Sequence, residues 1–184
     1  MKKIISLFQR NYDGDHLVRD EIVPGAEWVI NGEGWPTQKF DGTCCMIRDG
    51  KFYKRYDAKH GKKPPPDFEP AQEADATTGH RPGWVPVKSE DVWHMAAWNV
   101  LPKEHRVDGT YELVGPKIQG NPENHSVHFL IKHGQQILGE CIRTFDGIKA
   151  FLRDADIEGI VWHHTDGRMV KIKKKDFGFP RGDE

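Results

Sequence analysis

The sequence predicts an α+β fold built mainly from antiparallel sheet, and three observations carry that prediction. Asp-Gly occurs six times, at Asp13, Asp41, Asp49, Asp108, Asp146 and Asp166, and it favours tight turns because both residues tolerate positive φ. Short runs rich in β-branched and aromatic residues flank several of these pairs. Only two stretches place apolar residues at helical spacing, so helices are few.

The runs 43–47 and 51–56 flank Asp49-Gly50 and predict one hairpin, and 159–163 and 168–172 flank Asp166-Gly167 and predict another. Further strands are expected at 110–114, 126–132 and 136–138. One helix is expected to start near Ser89 as its N-cap and to run through Val92, Met95 and Ala96. A second covers 145–154, where Phe145, Ile148, Phe151 and Leu152 recur at helical spacing. Residues 58–87 contain Pro64, Pro65, Pro66, Pro70, Pro82 and Pro86, with glycines at 61, 79 and 83. Proline removes donors and fixes φ, so this span is expected to be a long connection inside one domain of residues 1–184. Trp84 within it is expected to pack the loop.

Six Trp and nine Phe supply large apolar bodies for a core. No apolar run approaches the roughly 20 residues needed to cross a bilayer, and the basic, briefly apolar start is too short for a signal peptide. A cytoplasmic, monomeric protein with no membrane contact is the expectation. The three cysteines include the adjacent Cys44 and Cys45, which point to opposite faces of a strand and suit neither a disulfide nor a chelate. The ten His and three Cys show no paired zinc-ligand spacing. The net charge of −1 leaves nucleic-acid binding to charge distribution rather than to composition.

Four short patterns carry chemistry. Lys39-Phe-Asp41-Gly42 offers an amine that becomes a nucleophile when deprotonated, with Asp41 on the same face if the strand continues. Glu112, in Tyr-Glu-Leu-Val-Gly at 111–115, is a lone carboxylate on a strand. Glu158 opens Glu-Gly-Ile-Val-Trp at 158–162, where a carboxylate can hold a divalent cation between phosphates. Lys171 and Lys173 flank Ile172, so both project from one face and can neutralise a triphosphate. Each pattern alone is weak, but the four stand in one order.

That order resembles the covalent nucleotidyltransferase superfamily of ATP-dependent DNA ligases, RNA ligases and mRNA capping enzymes. The resemblance covers about residues 35 to 178. Lys-Phe-Asp-Gly-Thr-Cys-Cys at 39–45, Thr-Gly-His at 78–80, Pro-Gly-Trp-Val at 82–85 and Tyr-Glu-Leu-Val-Gly-Pro-Lys-Ile-Gln-Gly-Asn-Pro at 111–122 look most like the small 5′-phosphate/3′-hydroxyl RNA ligases. The resemblance implies a nucleotidyltransferase, ATP-grasp-like core of antiparallel sheets with few flanking helices. The chain ends about six residues after Gly178, where capping enzymes and DNA ligases carry an OB-fold domain. Without that domain, RNA ligation is the expectation, with an inactive RNA-end-binding module or a ligase of nicked DNA as alternatives.

The resemblance also implies roles. Lys39 would attack the α-phosphate of ATP and carry AMP, with Asp41 orienting it and sharing a Mg²⁺ or Mn²⁺ ion with Glu158. Lys171 and Lys173 would hold the α-phosphate. Arg55 would meet the ribose or a phosphate, and Glu112 the ribose. Gln38, at a position often acidic in the superfamily, counts with the nucleotide-binding residues. Phe129 is the nearest residue to stack on the base, with His128 of comparable standing. The partner is RNA with 5′-phosphate and 3′-hydroxyl ends, and the basic stretch 168–175 could hold its backbone.

Overall fold

A computed structural model of the chain describes residues 1–181. In chain order the strands are β1 (Ile5–Ser6), β2 (Phe8–Arg10), β3 (Val18–Ile22), β4 (Trp35–Lys39), β5 (Thr43–Arg48), β6 (Lys51–Ala58), β7 (Glu69–Pro70), β8 (Arg81–Pro86), β9 (Gly109–Val114), β10 (Phe129–Lys132), β11 (Gly159–His163) and β12 (Met169–Lys173). Three α-helices accompany them, α1 (Glu27–Ile30), α2 (Val92–Val100) and α3 (Phe145–Asp154). The fold is therefore mixed α+β, mostly antiparallel, with few helices. Among the described residues, the pairing of β1 with β12 is the parallel exception.

The chain forms two compact units. One comprises Met1–Lys3 and Asp41–His133, the other Ile4–Phe40 and the described residues from Gly134 onward. The first holds a six-stranded sheet in the order β10-β9-β5-β6-β8-β7. Asp49 and Gly50 both take positive φ, 52° and 70°, the turn that matches the twist of a two-residue hairpin between β5 and β6. One face of this sheet buries Cys45, Ile47, Phe52, Tyr111, Leu113 and Leu130 with Ala97 of α2. The second unit holds a four-stranded sheet in the order β1-β12-β11-β4 and the β2–β3 hairpin. Its core joins Ile160, Trp162, Val170 and Ile172 to Ile148 and Leu152 of α3, and to Phe8 and Trp28. The N-cap of α3 is Thr144, whose Oγ1 accepts from Gly147 N–H at 3.1 Å.

Four expectations need correction. The helix after residue 89 begins at Val92 with Asp91 at the N-cap, not Ser89, and it has no side-chain cap. Asp91 is already engaged by Lys54 and by the Lys88 N–H at 2.9 Å. The run 136–138 makes only an isolated bridge from Ile137 to Thr37, because Pro36 has no N–H to extend the ladder. The strand expected over 126–132 starts at Phe129.

The fourth correction concerns the proline-rich span, which contributes β7 and β8 rather than a bare connection. The Pro82 carbonyl accepts from Ala71 N–H on the β7 side and Val87 N–H donates to Phe52 on β6. Strand alternation then turns the nitrogens of Pro82 and Pro86 away from β6, so the ladder between β6 and β8 loses no donor. Trp84 is buried at 4% exposure, as packing demands.

Ile172 is fully buried on the reverse of the strand that presents Lys171 and Lys173. Ile172→Ala is expected to lower stability by about 2–5 kcal/mol. Urea unfolding checks this, with a fall in midpoint and an unchanged slope as the result.

Candidate active site

Cross-strand register assembles the first cluster, within the four-stranded unit. Gly159 of β11 is the Cα partner of both Lys39 on β4 and Lys173 on β12. Two residues along, Val161 is the partner of both Thr37 and Lys171. Opposed residues share a face and alternate residues return to it, so Lys39, Thr37, Lys171 and Lys173 project together. Ile160, Trp162, Val170 and Ile172 fill the opposite, core face.

Gly159 is required by close approach. A Cβ there would stand 2.2 Å from the Ile172 carbonyl oxygen and 2.9 Å from Lys173 Cα. Thr37 is 3% exposed and donates from Oγ1 to the Val161 carbonyl at 2.9 Å, which ties β4 to β11 beneath the lysines. Glu158 stands just before β11, and its carboxylate meets Lys39 Nζ at 2.6 Å. The two side chains are 23% and 14% exposed, so this contact is screened less than a surface pair. Its backbone carbonyl accepts from Lys174 N–H at 2.8 Å.

Three ammonium groups on one face leave an electrostatic trace. Burial, followed by the charges of Lys173 and Lys39, lowers Lys171 from 10.5 to about 8, against the opposing pull of Asp176 and Glu158. Lys173 is lowered as well, mainly by burial. Asp176, 2% exposed, accepts from Lys173 N–H at 2.9 Å and pairs with Arg10. Such a face suits an oligophosphate, whose oxygens would replace the missing counter-charge. Two other residues of the basic stretch are engaged elsewhere: Lys174 Nζ donates to the Ala155 carbonyl at 2.7 Å, and Arg168 pairs with Asp166.

A second cluster lies in the six-stranded unit. Glu112 is the Cα partner of Cys44 and of Ile131. Phe129 lies two residues before Ile131, so it shares the Glu112 face. Met46 lies two beyond Cys44 and partners Tyr53, which puts Arg55 on that face too. His128 precedes β10 and its ring stacks on Trp93 at 4.8 Å, so Phe129 is the aromatic that accompanies Glu112. The Arg55 guanidinium donates to the Met1 carbonyl at 2.6 Å and lies 5.1 Å from the Trp84 ring.

Two sequence expectations change here. β4 ends at Lys39, so strand alternation does not extend to Asp41, which belongs to the six-stranded unit. There its N–H donates to Glu123 Oε1 at 3.2 Å. Gln38 partners Ile160 of the core face, opposite to Lys39, and its N–H donates to the Gln136 carbonyl at 2.9 Å, so its backbone carbonyl is what remains for a nucleotide held by that lysine. Sequence reasoning missed Thr37, Gly159, Glu123 and His133. The Glu-Gly pair at 158–159 was a usable signal for Gly159, and the other three were visible only through long-range pairing.

A family model described as RNA ligase 1 matches residues 96–183, a span that includes Glu112, Glu158, Lys171 and Lys173. The chain is similar to RNA ligase 1 of Pongo abelii, 28% identical over 78% of this chain and 67% of that protein. It is also similar to RNA ligase 1 of Rattus norvegicus and of Danio rerio, each 26% identical over 77% of this chain and 66% of theirs. The chain thus spans about two thirds of the length of these relatives. No helix among the described residues is long and apolar enough to cross a membrane.

The depressed Lys171 predicts a pH dependence of stability. Below about 8 both folded and unfolded chains hold the proton, and the fold bears the full cost of a buried ammonium. Between about 8 and 10.5 the unfolded chain holds more protons, so stability rises with pH by up to about 1.4 kcal/mol per unit. Lys173 shifts in the same direction and adds to the rise. Urea unfolding across this window is expected to show the rise in the parent and a flatter profile in Lys171→Met.

Proposed function

We propose that the chain is an ATP-dependent RNA ligase, a reading supported by its similarity to the RNA ligase 1 family model and to the curated RNA ligase 1 relatives. It joins 5′-phosphate and 3′-hydroxyl RNA ends through a lysyl-AMP intermediate on a nucleotidyltransferase core. The observation that carries the reading is the cluster of Lys39, Glu158, Lys171 and Lys173 on one sheet face. A nucleophile, a carboxylate and two phosphate-holding cations are what such a transfer needs, since positioning and charge neutralisation dominate phosphoryl chemistry.

In the first step Lys39 Nζ forms a bond to the α-phosphorus of ATP, the bond to the bridging oxygen breaks and pyrophosphate leaves. In this reading Glu158, 2.6 Å from Nζ, takes the ammonium proton. Lys171 and Lys173 hold the α-phosphate oxygens and offset the charge that builds there. AMP then passes to the RNA 5′-phosphate, and the 3′-hydroxyl of the other end displaces it. Arg55, Glu112 and Phe129 are assigned to the ribose, or a phosphate in the case of Arg55, and to the base, with Gln38 contributing through its backbone.

Mg²⁺ or Mn²⁺ belongs to this reading, with Glu158, the carboxylate beside Lys39, as its protein ligand. Among the described residues no group of three or more His, Cys, Asp and Glu could hold a metal. A hard cation of this kind takes one or two carboxylates and completes its shell with phosphate and water. Its contribution when bound would be to neutralise phosphate charge.

Intact mass after incubation with ATP and Mg²⁺ tests the proposal. The parent is expected to gain one AMP and Lys39→Ala to gain none. Lys171→Met and Lys173→Met are each expected to slow AMP uptake about 10²–10³-fold. A parent that starts at its bare sequence mass and stays there with ATP or GTP, and with Mg²⁺ or Mn²⁺, would overturn the enzyme reading in favour of an RNA-end-binding module.

A further inference from the structure

The sheet face that carries Glu112 also carries a histidine to which the reading above gives no role. His133 directly follows β10, and its backbone N–H donates to the Thr110 carbonyl at 3.0 Å, extending the ladder with β9 by one bond. Its ring reaches two side chains of β9. Nε2 lies 2.8 Å from Glu112 Oε2 and Nδ1 lies 2.9 Å from Thr110 Oγ1. An ionised carboxylate only accepts, so Nε2 carries a proton and donates it. The threonine hydroxyl can give or take and therefore completes the chain at Nδ1 in either protonation state of the ring. With the two side chains 23% and 14% exposed, water competes little for this bond.

The second oxygen of Glu112 is constrained differently. A Cβ on Gly42 would stand 2.7 Å from Glu112 Cγ and 3.1 Å from Oε1. Oε2 is thus engaged by His133, while Oε1 lies over a residue with no side chain, the glycine that ends Lys39-Phe-Asp-Gly. The terminal torsion of a glutamate is broad and roughly two-fold. A donor on one oxygen converts that freedom into a single direction for the other.

We propose that His133 is a positioning residue that holds the Glu112 carboxylate so that Oε1 accepts a hydrogen bond from a ribose hydroxyl of the nucleotide. The inference rests on the reading above in which Glu112 meets the ribose. Its chemical sense is discrimination. A site built to bond a hydroxyl rejects the analogue that lacks it, because a polar group is then left without its partner. Thr110, His133 and Glu112 form one chain of hydrogen bonds within a single sheet, so the selectivity for ribose would be set by strand pairing rather than by a loop.

The test uses the full chain and the rate of AMP-adduct formation with ATP, 2′-deoxy-ATP and 3′-deoxy-ATP. His133→Gln sets an amide nitrogen where Nε2 stands and keeps the donor to Glu112. His133→Asn sets one where Nδ1 stands and keeps only the side towards Thr110. The parent is expected to prefer ATP over at least one deoxynucleotide. His133→Asn should reduce that preference about tenfold or more, chiefly by slowing the ATP reaction, and His133→Gln should retain most of it. Thermal melts accompany each variant, since a residue with a merely structural role would slow all three nucleotides alike as the fold weakens. Equal slowing, an unmoved preference in His133→Asn, or a parent without preference would overturn the role of His133 alone. A parent that takes up no AMP from any nucleotide would overturn the enzyme reading, and this inference with it.

Discussion

The pairing of β11 with both β4 and β12 is the constraint from which the rest of the four-stranded unit follows. One register, with Gly159 between Lys39 and Lys173 and Val161 between Thr37 and Lys171, sorts every side chain of three strands between core and solvent. A slip of one residue would turn the lysines inward and expose Trp162 and Ile172. Burial of that apolar face is therefore what holds the charged face in place. Gly159 adds the close approach, and the Thr37 hydroxyl locks β4 to β11 from within.

Holding Lys39, Lys171 and Lys173 together opposes stability, since partly buried ammonium groups lose hydration and repel one another. Glu158 and Asp176 offset part of this. The fold is thus least content in the state that lacks an anion. A phosphate-bearing ligand has a large differential interaction with such a face before any chemistry begins. Sites of this kind bring together groups that a purely structural surface would keep apart.

Local chemistry was legible in the sequence and long-range pairing was not. Asp49-Gly50 announced its hairpin because turn geometry depends on those two residues alone, and Phe145, Ile148, Phe151 and Leu152 announced α3 because helical spacing is a short-range pattern. Lys171 and Lys173 were readable as a pair because the strand period is 2. By contrast, Asp91 took the cap expected of Ser89 because Lys54, 37 residues away in sequence, holds it. β8 was hidden because proline argues against a strand unless one knows which edge its nitrogen faces. Asp41 was placed on the face of Lys39 by assuming that the strand continued, and it stops at Lys39. His133 carried no local signal at all, since its partners lie 21 and 23 residues before it.

Pro82 and Pro86 have a meaning beyond the ladder they spare. The outer margin of the six-stranded sheet is β7, only two residues long; Ala71 continues its bonding as far as Pro82, and towards Pro86 no further strand of the described residues pairs with β8. An uncovered strand is a template on which another chain can add, because it offers alternating donors and acceptors. On this strand the outward donors at 82 and 86 do not exist. A stranger's strand would find acceptors without matching hydrogens and could not propagate. The composition that made this segment read as a loop thus denies an added strand a bonding partner at Pro86, a guard against strand addition written into the backbone rather than into surface charge.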